Sequence, residues 1–498
     1  MSKINIHFSV LLSLLILLAS HLQAKDYNVS DFGAKADGTT LNTRTIQRAI
    51  DYVSEKGGGR LVFQIGNYVT GSIYLKSNVT LHLEPGATLL GSTNPLDYVI
   101  DPKVKWSSMI FAVNQENIGI TGKGTINGRG FTTANNLVSL IHRGLVEDEL
   151  LLDRPREWRR PENIYFRECV NVTITDITLR DPASWNQTYD QCKNVYVDGI
   201  YVDSKAYWNN DGIDIVDCDG VTIKNSYFDA ADDVICFKSH DAKSICQNVV
   251  VENCVGRSSA NGIKFGTVSR GGFKNFKIKN VTIFDTFRSA ITFAAVDGGI
   301  IEDIEVDSIR SINTGNVIFL RIGDRWSSGK QPSMKNVRIS NVYAEVPMSK
   351  PDAGYNYEGP VEDNPRNISP AVIFGLPDHK IENVVLKNIE IVYPGAGNPL
   401  YAYRGTSQAE LDSIPDMRDK YPEFSQWKEL PAWGFYVRHA DGVIFDNVKL
   451  VAEKKDYRPS IVIDNVDGAT FRNVEFIEPE SKDKKQINQN RSKNVTIQ

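Results

Sequence analysis

The chain has 498 residues, and its 56 lysines and arginines against 61 aspartates and glutamates give a formal net charge of −5. Hydrophobic residues make up 41% and charged residues 23%, a composition typical of a folded globular protein that excludes long disorder, collagen and a multi-span membrane protein. A slightly acidic chain also argues against nucleic acid as the main partner, because phosphate binding requires a basic face.

The first 24 residues have the pattern of a secretory signal peptide. Lys3 precedes an apolar run at 10–18, and the small residue Ala24 marks the cleavage position. The alternative, a transmembrane anchor, is disfavoured because the run is too short to cross a bilayer comfortably. We therefore expect residues 1–24 to be removed, residues 25–498 to form one domain without membrane insertion, and the protein to be secreted or periplasmic.

A helix is predicted next, over residues 43–53, where apolar residues recur at helical spacing. Those residues are Ile46, Ala49, Ile50 and Val53. Asn42 is the expected N-cap, and three glycines at 57–59 end the helix. We expect this helix to cover the open end of the repeat structure that follows it.

A short phrase then recurs to the end of the chain: one small residue, Asn, Asp or Gly, followed by alternating apolar positions. It reads NVTL at 78–81 and NVTI at 171–174, and from Asn171 to Asp303 the phrases start 23 to 28 residues apart. The other starting residues are Asn117, Asn194, Gly220, Asn248, Asn275, Asn336, Asn383, Gly442, Gly468 and Asn494. Strand-period alternation at such a spacing is typical of a β-solenoid. The sequence therefore predicts an all-β fold, a single-stranded right-handed parallel β-helix with an N-terminal capping helix.

Four cysteines each lie two residues before the starting residue of their phrase. They are Cys169, Cys192, Cys218 and Cys246. Coils stacked at the strand spacing of about 4.8 Å would place them in one inner column. We expect a ladder of buried thiols, and disulfides between neighbours are the alternative if the compartment is oxidising.

Three interruptions break the regular coils, at about 121–160, 340–375 and 387–440, and the last is rich in aromatic residues. Long insertions on a rigid scaffold are usually functional loops. A β-helix offers its binding surface along one side, so these insertions are expected to wall a cleft. The first and third suggest a cleft closed at one end, and hence exo action on a chain-like substrate.

Polar residues precede the same strand in three successive coils. They are Asp211, the pair Asp232 and Asp233, and Asn261. Carboxylates packed this closely repel one another, so one is held protonated as a general acid while another stays ionised as a base. Glycoside hydrolysis needs that division of labour. The alternative is that the Asp-Asp pair only forms a turn between strands.

At these residues the chain resembles the polygalacturonase family, glycoside hydrolase family 28. Residues 208–214 (WNNDGID) and 231–234 (ADDV) are similar to its paired signatures, Asn-Thr-Asp and then Asp-Asp about 20 residues later, and the gap here is 21. The opening at 29–38 also resembles pectin-active β-helix enzymes. The resemblance implies an inverting hydrolase that needs no metal and no cofactor. It implies that Asp232 is the general acid, and that Asp211 and Asp233 hold and deprotonate the attacking water.

The chain departs from the family pattern at two later motifs. Gly-His-Gly is replaced by 260–262 (ANG), and Arg-Ile-Lys falls at 290–293 (AITF), so the histidine and both cations are missing. In polygalacturonases those groups are understood to support the acid and to grip the galacturonate carboxylate. The nearby residues expected to bind substrate instead are Asn261, Lys264, Arg288 and Arg321, with Lys264 favoured. For each cation the alternative is a solvated solenoid face.

Two tryptophans, Trp185 and Trp208, each lie 14 residues beyond the starting residue of their phrase. We expect them to form a stacking platform for sugar rings, and packing within loops is the alternative.

Together these features predict a secreted, monomeric, inverting glycosidase whose partner is an acidic plant-type polysaccharide or oligosaccharide of the galacturonate or rhamnogalacturonan type. The reacting sugar is either a uronate held by Lys264 or Arg288, or a neutral sugar such as rhamnose. The rival hypotheses are a β-helix lyase or epimerase, and a glycan-binding β-helix without catalysis.

Overall fold

The computed structural model describes residues 25–150, 154–327, 329–352, 354–356 and 369–498. The predicted signal peptide, residues 1–24, lies outside these described residues. Within them, no helix is long and apolar enough to cross a bilayer.

The described residues contain 31 strands, which join in parallel into one continuous sheet. The first ten are β1 (Asp26–Asn28), β2 (Asp37–Leu41), β3 (Gly59–Phe63), β4 (Gly66–Thr70), β5 (Ile73–Tyr74), β6 (Val79–Leu83), β7 (Ala87–Gly91), β8 (Ser108–Val113), β9 (Glu116–Thr121) and β10 (Thr125–Asn127). The next ten are β11 (Glu162–Arg167), β12 (Val170–Thr175), β13 (Thr178–Arg180), β14 (Gln187–Asp190), β15 (Lys193–Asp198), β16 (Tyr201–Ser204), β17 (Ile213–Val216), β18 (Asp219–Lys224), β19 (Tyr227–Ala230) and β20 (Ile235–Ser239). The last eleven are β21 (Cys246–Ser258), β22 (Ile263–Ser269), β23 (Gly272–Ala295), β24 (Ile300–Ile322), β25 (Ser333–Glu345), β26 (Ala371–Phe374), β27 (Ile381–Gly395), β28 (Phe435–Lys454), β29 (Ile461–Ile477), β30 (Ile487–Asn490) and β31 (Lys493–Ile497).

Each complete coil has three strands, and each strand pairs with its counterpart one coil later. Strands β14, β15 and β16 form one coil and pair with β17, β18 and β19 of the next. The inward side chains of successive coils merge into one hydrophobic core that runs the length of the molecule. The predicted parallel β-helix is therefore confirmed.

The starting residues of the repeat have a left-handed backbone. Asn78, Asn171 and Gly220 have φ values of 63°, 57° and 78°. Asn, Asp and Gly tolerate this conformation better than other residues, which explains why the phrase always begins with one of them. The asparagine side chains also bond from coil to coil: the amide of Asn171 donates to Asn117 at 2.9 Å, and that of Asn194 donates to Asn171 at 3.1 Å.

The predicted thiol column is present. The carbonyl oxygens of Cys169, Cys192 and Cys218 each accept a backbone hydrogen bond from the residue that follows the cysteine of the next coil, at 2.8, 3.0 and 2.8 Å. All six cysteines of the chain are buried free thiols. The column therefore stabilises the core by packing, as expected for small apolar side chains.

The capping helix is confirmed as α1 (Thr43–Glu55), and its buried face is the predicted one. Asn42 is the N-cap residue of this helix, as predicted, but its side chain makes no capping hydrogen bond. Its amide donates to the carbonyl oxygens of Lys35 and Thr40 at 2.9 and 2.8 Å and accepts from the Lys35 amide at 2.8 Å. The side chain therefore joins the loop before β2 to the start of the helix.

The three insertions are confirmed, each with changed bounds. The first lies between β10 and β11 and contains α2 (Gly130–His142), and the second lies between β25 and β26, at 346–370, and is described only in part. The third contains the short helix α3 (Gln408–Asp412) and is narrower than predicted, spanning 396–434. The coil continues through β27 because Ile389 and Ile391 keep the buried alternation.

Candidate active site

The register of four neighbouring strands sets the site. Ile213, Ile235, Ile263 and Ile291 are partners in β17, β20, β22 and β23. The residues two positions before the first three are therefore neighbours, namely Asp211, Asp233 and Asn261. Backbone hydrogen bonds fix this alignment, from the Gly212 amide to the Asp233 carbonyl at 2.8 Å and from the Val234 amide to the Asn261 carbonyl at 2.9 Å.

Asp233 is held as a carboxylate. Its Oδ2 accepts a hydrogen bond from Lys264 Nζ at 2.6 Å, and its Oδ1 accepts from the Asn261 side-chain amide at 2.8 Å. Burial opposes its ionisation, but the charges of Lys264 and Lys238 and these hydrogen bonds prevail and lower the pKa of Asp233 to about 2. Asp233 therefore stays ionised over the whole physiological range.

Asp211 faces Asp233 from the preceding coil. Oxygens of the two carboxyl groups and the Cys236 sulfur lie within 4.8 Å of one another. Burial, followed by the charge of Asp214, raises the pKa of Asp211 well above its usual range.

Asp232, although adjacent to Asp233 in the chain, has a different environment. It is half-buried, and its backbone carbonyl accepts a hydrogen bond from the Ser258 hydroxyl. Burial, followed by the charge of Asp233, raises the pKa of Asp232, and Lys264 and Arg288 only partly oppose that rise. The protonated form is favoured, as a general acid requires.

Lys238 and Asp214 belong to the same cluster but were not singled out from the sequence. Lys238 Nζ lies 2.8 Å from Asp214 Oδ1, 3.3 Å from Asp211 Oδ2 and 2.9 Å from Cys236 Sγ. Strand alternation could have identified Lys238 from the sequence, because it follows Cys236 by two residues and therefore lies on the same outward face of the strand.

Two of the three cations predicted to bind substrate, Lys264 and Arg288, lie at the cluster, and both have partners within the protein. Lys264 contacts Asp233 and also donates to the Tyr421 hydroxyl at 3.2 Å. Arg288 Nε lies 2.8 Å from Glu423 Oε1. Tyr421 and Glu423 come from the insertion 396–434, and no sequence pattern placed them here.

Arg321 is not brought to the carboxylates. Its guanidinium donates to the carbonyl oxygens of Phe374 and Gly375 at 3.3 Å each, and to that of Asp416. The Phe374 and Trp427 rings lie 5.1 Å from it, and burial lowers the pKa of Arg321 to about 9. The side chain joins the insertion 396–434 to the coils, so we assign it a structural role.

The two predicted platform tryptophans have different neighbours. Trp185 stacks on Trp106 with ring centroids 4.9 Å apart, and Lys238 Nζ lies 4.4 Å from its ring. A cleft of about 720 Å³ opens there, and Trp158 and Tyr165 also line it. Trp208 packs near α2 instead and carries the Arg154 guanidinium at 4.6 Å. Trp185 thus lies beside the cluster, and the role of Trp208 stays a prediction.

The trio Asp211, Asp233 and Cys236 has the donor atoms of a small metal site. However, Lys238 Nζ contacts Cys236 at 2.9 Å and Lys264 Nζ contacts Asp233 at 2.6 Å. Two ammonium groups against the same atoms repel a cation, so this donor set does not suit a metal.

Comparison with known proteins shows where this arrangement belongs. Residues 63–343, more than half of the chain, match the family described as "Glycosyl hydrolases family 28". The chain belongs to glycosyl hydrolases family 28.

Among its family 28 relatives is an exo-poly-alpha-D-galacturonosidase of Dickeya chrysanthemi, 29% identical over 322 residues that cover 55% of this chain. The chain spans about half the length of that relative, 53%. An exopolygalacturonase of Thermotoga maritima shares the fold with a TM-score of 0.60 and 23% identity, covering 74% of this chain and 87% of its own. A family 28 exopolygalacturonase of Yersinia enterocolitica has a TM-score of 0.56 and 21% identity, covering 95% and 78%.

The departures from the family 28 motifs now have a structural setting. Asn261 stands where the resemblance expects histidine, and it holds Asp233 while its own Oδ1 accepts from the Thr292 hydroxyl at 2.9 Å. Asn261 therefore has the contacts of a positioning residue for a carboxylate.

Proposed function

We propose that this chain is an inverting glycoside hydrolase that acts on pectic, galacturonate- or rhamnogalacturonan-type glycans. One observation carries the proposal: two adjacent aspartates favour opposite protonation states, and the carboxyl group of Asp211 faces the ionised one. The pKa of Asp233 is lowered to about 2, whereas that of Asp232 is raised by burial and by Asp233 itself. An acid and a base in one buried cluster are what inverting hydrolysis requires.

In the proposed reaction, Asp232 gives its proton to the glycosidic oxygen as the bond to the anomeric carbon breaks. A water held between Asp211 and Asp233 attacks that carbon from the opposite face, and its proton passes to the ionised Asp233. Lys264 and Asn261 keep Asp233 ionised and oriented. The released sugar carries the oxygen of the water, with inverted configuration at the anomeric carbon. The base then loses its proton to solvent and Asp232 takes one up, which restores the enzyme.

The shape of the site supports exo action on a chain-like glycan. Tyr421 and Glu423 cover the cluster on the side of Lys264 and Arg288. The aromatic cleft at Trp185 lies one coil before Asp211, on the other side. A substrate therefore has one open direction in which to extend. The exo-galacturonosidase of Dickeya chrysanthemi supports a pectic substrate. We keep the expectations of secretion and of a monomer.

The test is digestion of a panel of pectic polysaccharides and oligosaccharides, with products identified by mass. The proposal predicts saturated monosaccharides released from chain ends and no activity in Asp232→Asn. A lyase would instead leave an unsaturated product that absorbs in the ultraviolet. A glycan-binding protein without catalytic activity would bind the glycans and leave their masses unchanged.

A further inference from the structure

We propose that the sugar whose bond is cleaved is uncharged, a neutral hexose or deoxyhexose at the end of an otherwise acidic glycan. This inference rests on the proposed hydrolase function and names the substrate class of that site. It is supported by the ion pairs of the cluster, because each cation there already contacts a carboxylate of the protein and is not available to bind a carboxylate of the substrate.

Each cation at the cluster already has a carboxylate of its own. Lys238 Nζ lies 2.8 Å from Asp214, and Lys264 Nζ lies 2.6 Å from Asp233. Arg288 Nε lies 2.8 Å from Glu423, which is itself buried. A uronate would have to displace one of these partners, and each displacement leaves a buried carboxylate without its cation.

The cluster also has more acidic groups than basic ones. Its carboxyl groups are those of Asp211, Asp214, Asp232, Asp233 and Glu423, and its cations are Lys238, Lys264 and Arg288. With Asp232 protonated for its role as the acid, and with the pKa of Asp211 also raised by burial, the carboxylates of Asp214, Asp233 and Glu423 already balance the three cations. A carboxylate on the reacting sugar would therefore add an uncompensated negative charge to a buried cluster.

Tyr421 covers the two cations that a uronate would otherwise seek. Lys264 Nζ lies 5.6 Å and the Arg288 guanidinium 5.8 Å from its ring centre. Both cations are more than nine-tenths buried, whereas Tyr421 is 41% exposed. The surface offered at this end of the site is therefore a tyrosine ring, which suits the apolar face of a neutral sugar.

The cleft on the other side is the direction in which the remainder of the glycan extends. Arg167 lies in its lining, but its guanidinium contacts Glu168 at 3.3 Å and Asp190 at 3.5 Å. The neighbouring stack of Trp106 on Trp185 offers further apolar surface. Lys105, which is exposed, also lines this cleft. The cleft therefore suits the acidic remainder of the glycan, whereas the side covered by Tyr421 suits a neutral sugar.

The experiment uses oligosaccharides that share one acidic remainder and differ only in the terminal sugar. One set ends in galacturonate, and the other ends in galactose, made by reducing that carboxylate, or in rhamnose. The purified full chain is expected to cleave a neutral-ended member with kcat/KM at least about 10-fold above the galacturonate-ended one. Equal or faster cleavage of the galacturonate end overturns the inference and leaves the hydrolase proposal standing. If no member is cleaved, both fail.

Two variants probe the cause in the same assay. Glu423→Gln removes the partner of Arg288, so the neutral-to-uronate ratio of kcat/KM is expected to fall by about 5-fold or more. The matched control Glu429→Gln alters a buried glutamate of the same insertion that contacts Arg458 instead, and it should leave the ratio unchanged. Arg288→Gln should lower both activities alike, and a loss confined to the galacturonate-ended substrate would overturn the inference.

Discussion

Asp232 and Asp233 are adjacent in the chain, yet their surroundings move their pKa values in opposite directions. The difference lies in their donors: Asp233 accepts bonds from Lys264 and Asn261, whereas Asp232 has the negative charge of Asp233 beside it. Two identical residues thus favour opposite protonation states because of their different surroundings, as the proposed acid and base require.

Asp232→Asn keeps the shape of the side chain but removes the proton that the leaving oxygen needs. We expect turnover to fall by at least about 10³-fold with the thermal unfolding midpoint unchanged. Asp219→Asn, at the partly buried first residue of β18, is the matched control and should keep full activity. Retention of a tenth of the wild-type rate in Asp232→Asn would exclude this residue as the acid.

Asn261→Ala tests how the ionised state of Asp233 is maintained. The lost amide stabilised the charged form, so the pKa of Asp233 should rise from about 2, and the carboxylate should become protonated at higher pH. The acid limb of the kcat/KM profile is therefore expected to move to higher pH, with the alkaline limb, set by Asp232, little changed. A uniform loss without a shifted limb would mean that Asn261 only contacts substrate.

At the scale of elements, the repeats start with a residue in a left-handed conformation, and where that residue is asparagine its side chain bonds to a neighbouring coil. Asn275 has a φ of 58°, and its amide donates to Asn248 Oδ1 at 2.7 Å. The backbone requirement and the ladder bond are separate contributions, and substitutions can separate them.

Asn275→Ala and Asn275→Gly both remove the ladder bond, but only alanine resists the left-handed backbone. We expect Asn275→Ala to destabilise the fold by about 1 kcal/mol more than Asn275→Gly, seen as a lower urea midpoint. Both variants should keep the wild-type pH profile, which makes Asn275→Gly the stability control for Asn261→Ala. Equal midpoints would show that the conformation at this position carries no cost.

At the scale of the whole molecule, a regular period made the fold and the carboxylates predictable. Once the coils are counted from their starting residues, the strand register follows, and with it the neighbours Asp211, Asp233 and Asn261. Lys264 was placed correctly for the same reason, as the partner of Cys236 and Thr292.

The covering of the site was not predictable in this way. Tyr421 and Glu423 come from an irregular insertion far along the chain, where no period fixes which coil it returns to. Arg321 shows the same limit, because its outward strand position was counted correctly but the insertion that buries it was unknown. The repeat therefore predicts which side chains of successive coils are neighbours, whereas the insertions determine which of those side chains are covered and which partners they contact.

The most direct test of the central claim is to determine the anomeric configuration of the first product by recording proton NMR spectra during digestion of an α-linked pectic oligosaccharide. A water held by Asp211 and Asp233 opposite the acid Asp232 predicts that the β-anomer appears first and only later equilibrates. Initial release of the α-anomer would show retention through a covalent intermediate and would contradict this arrangement of the three aspartates.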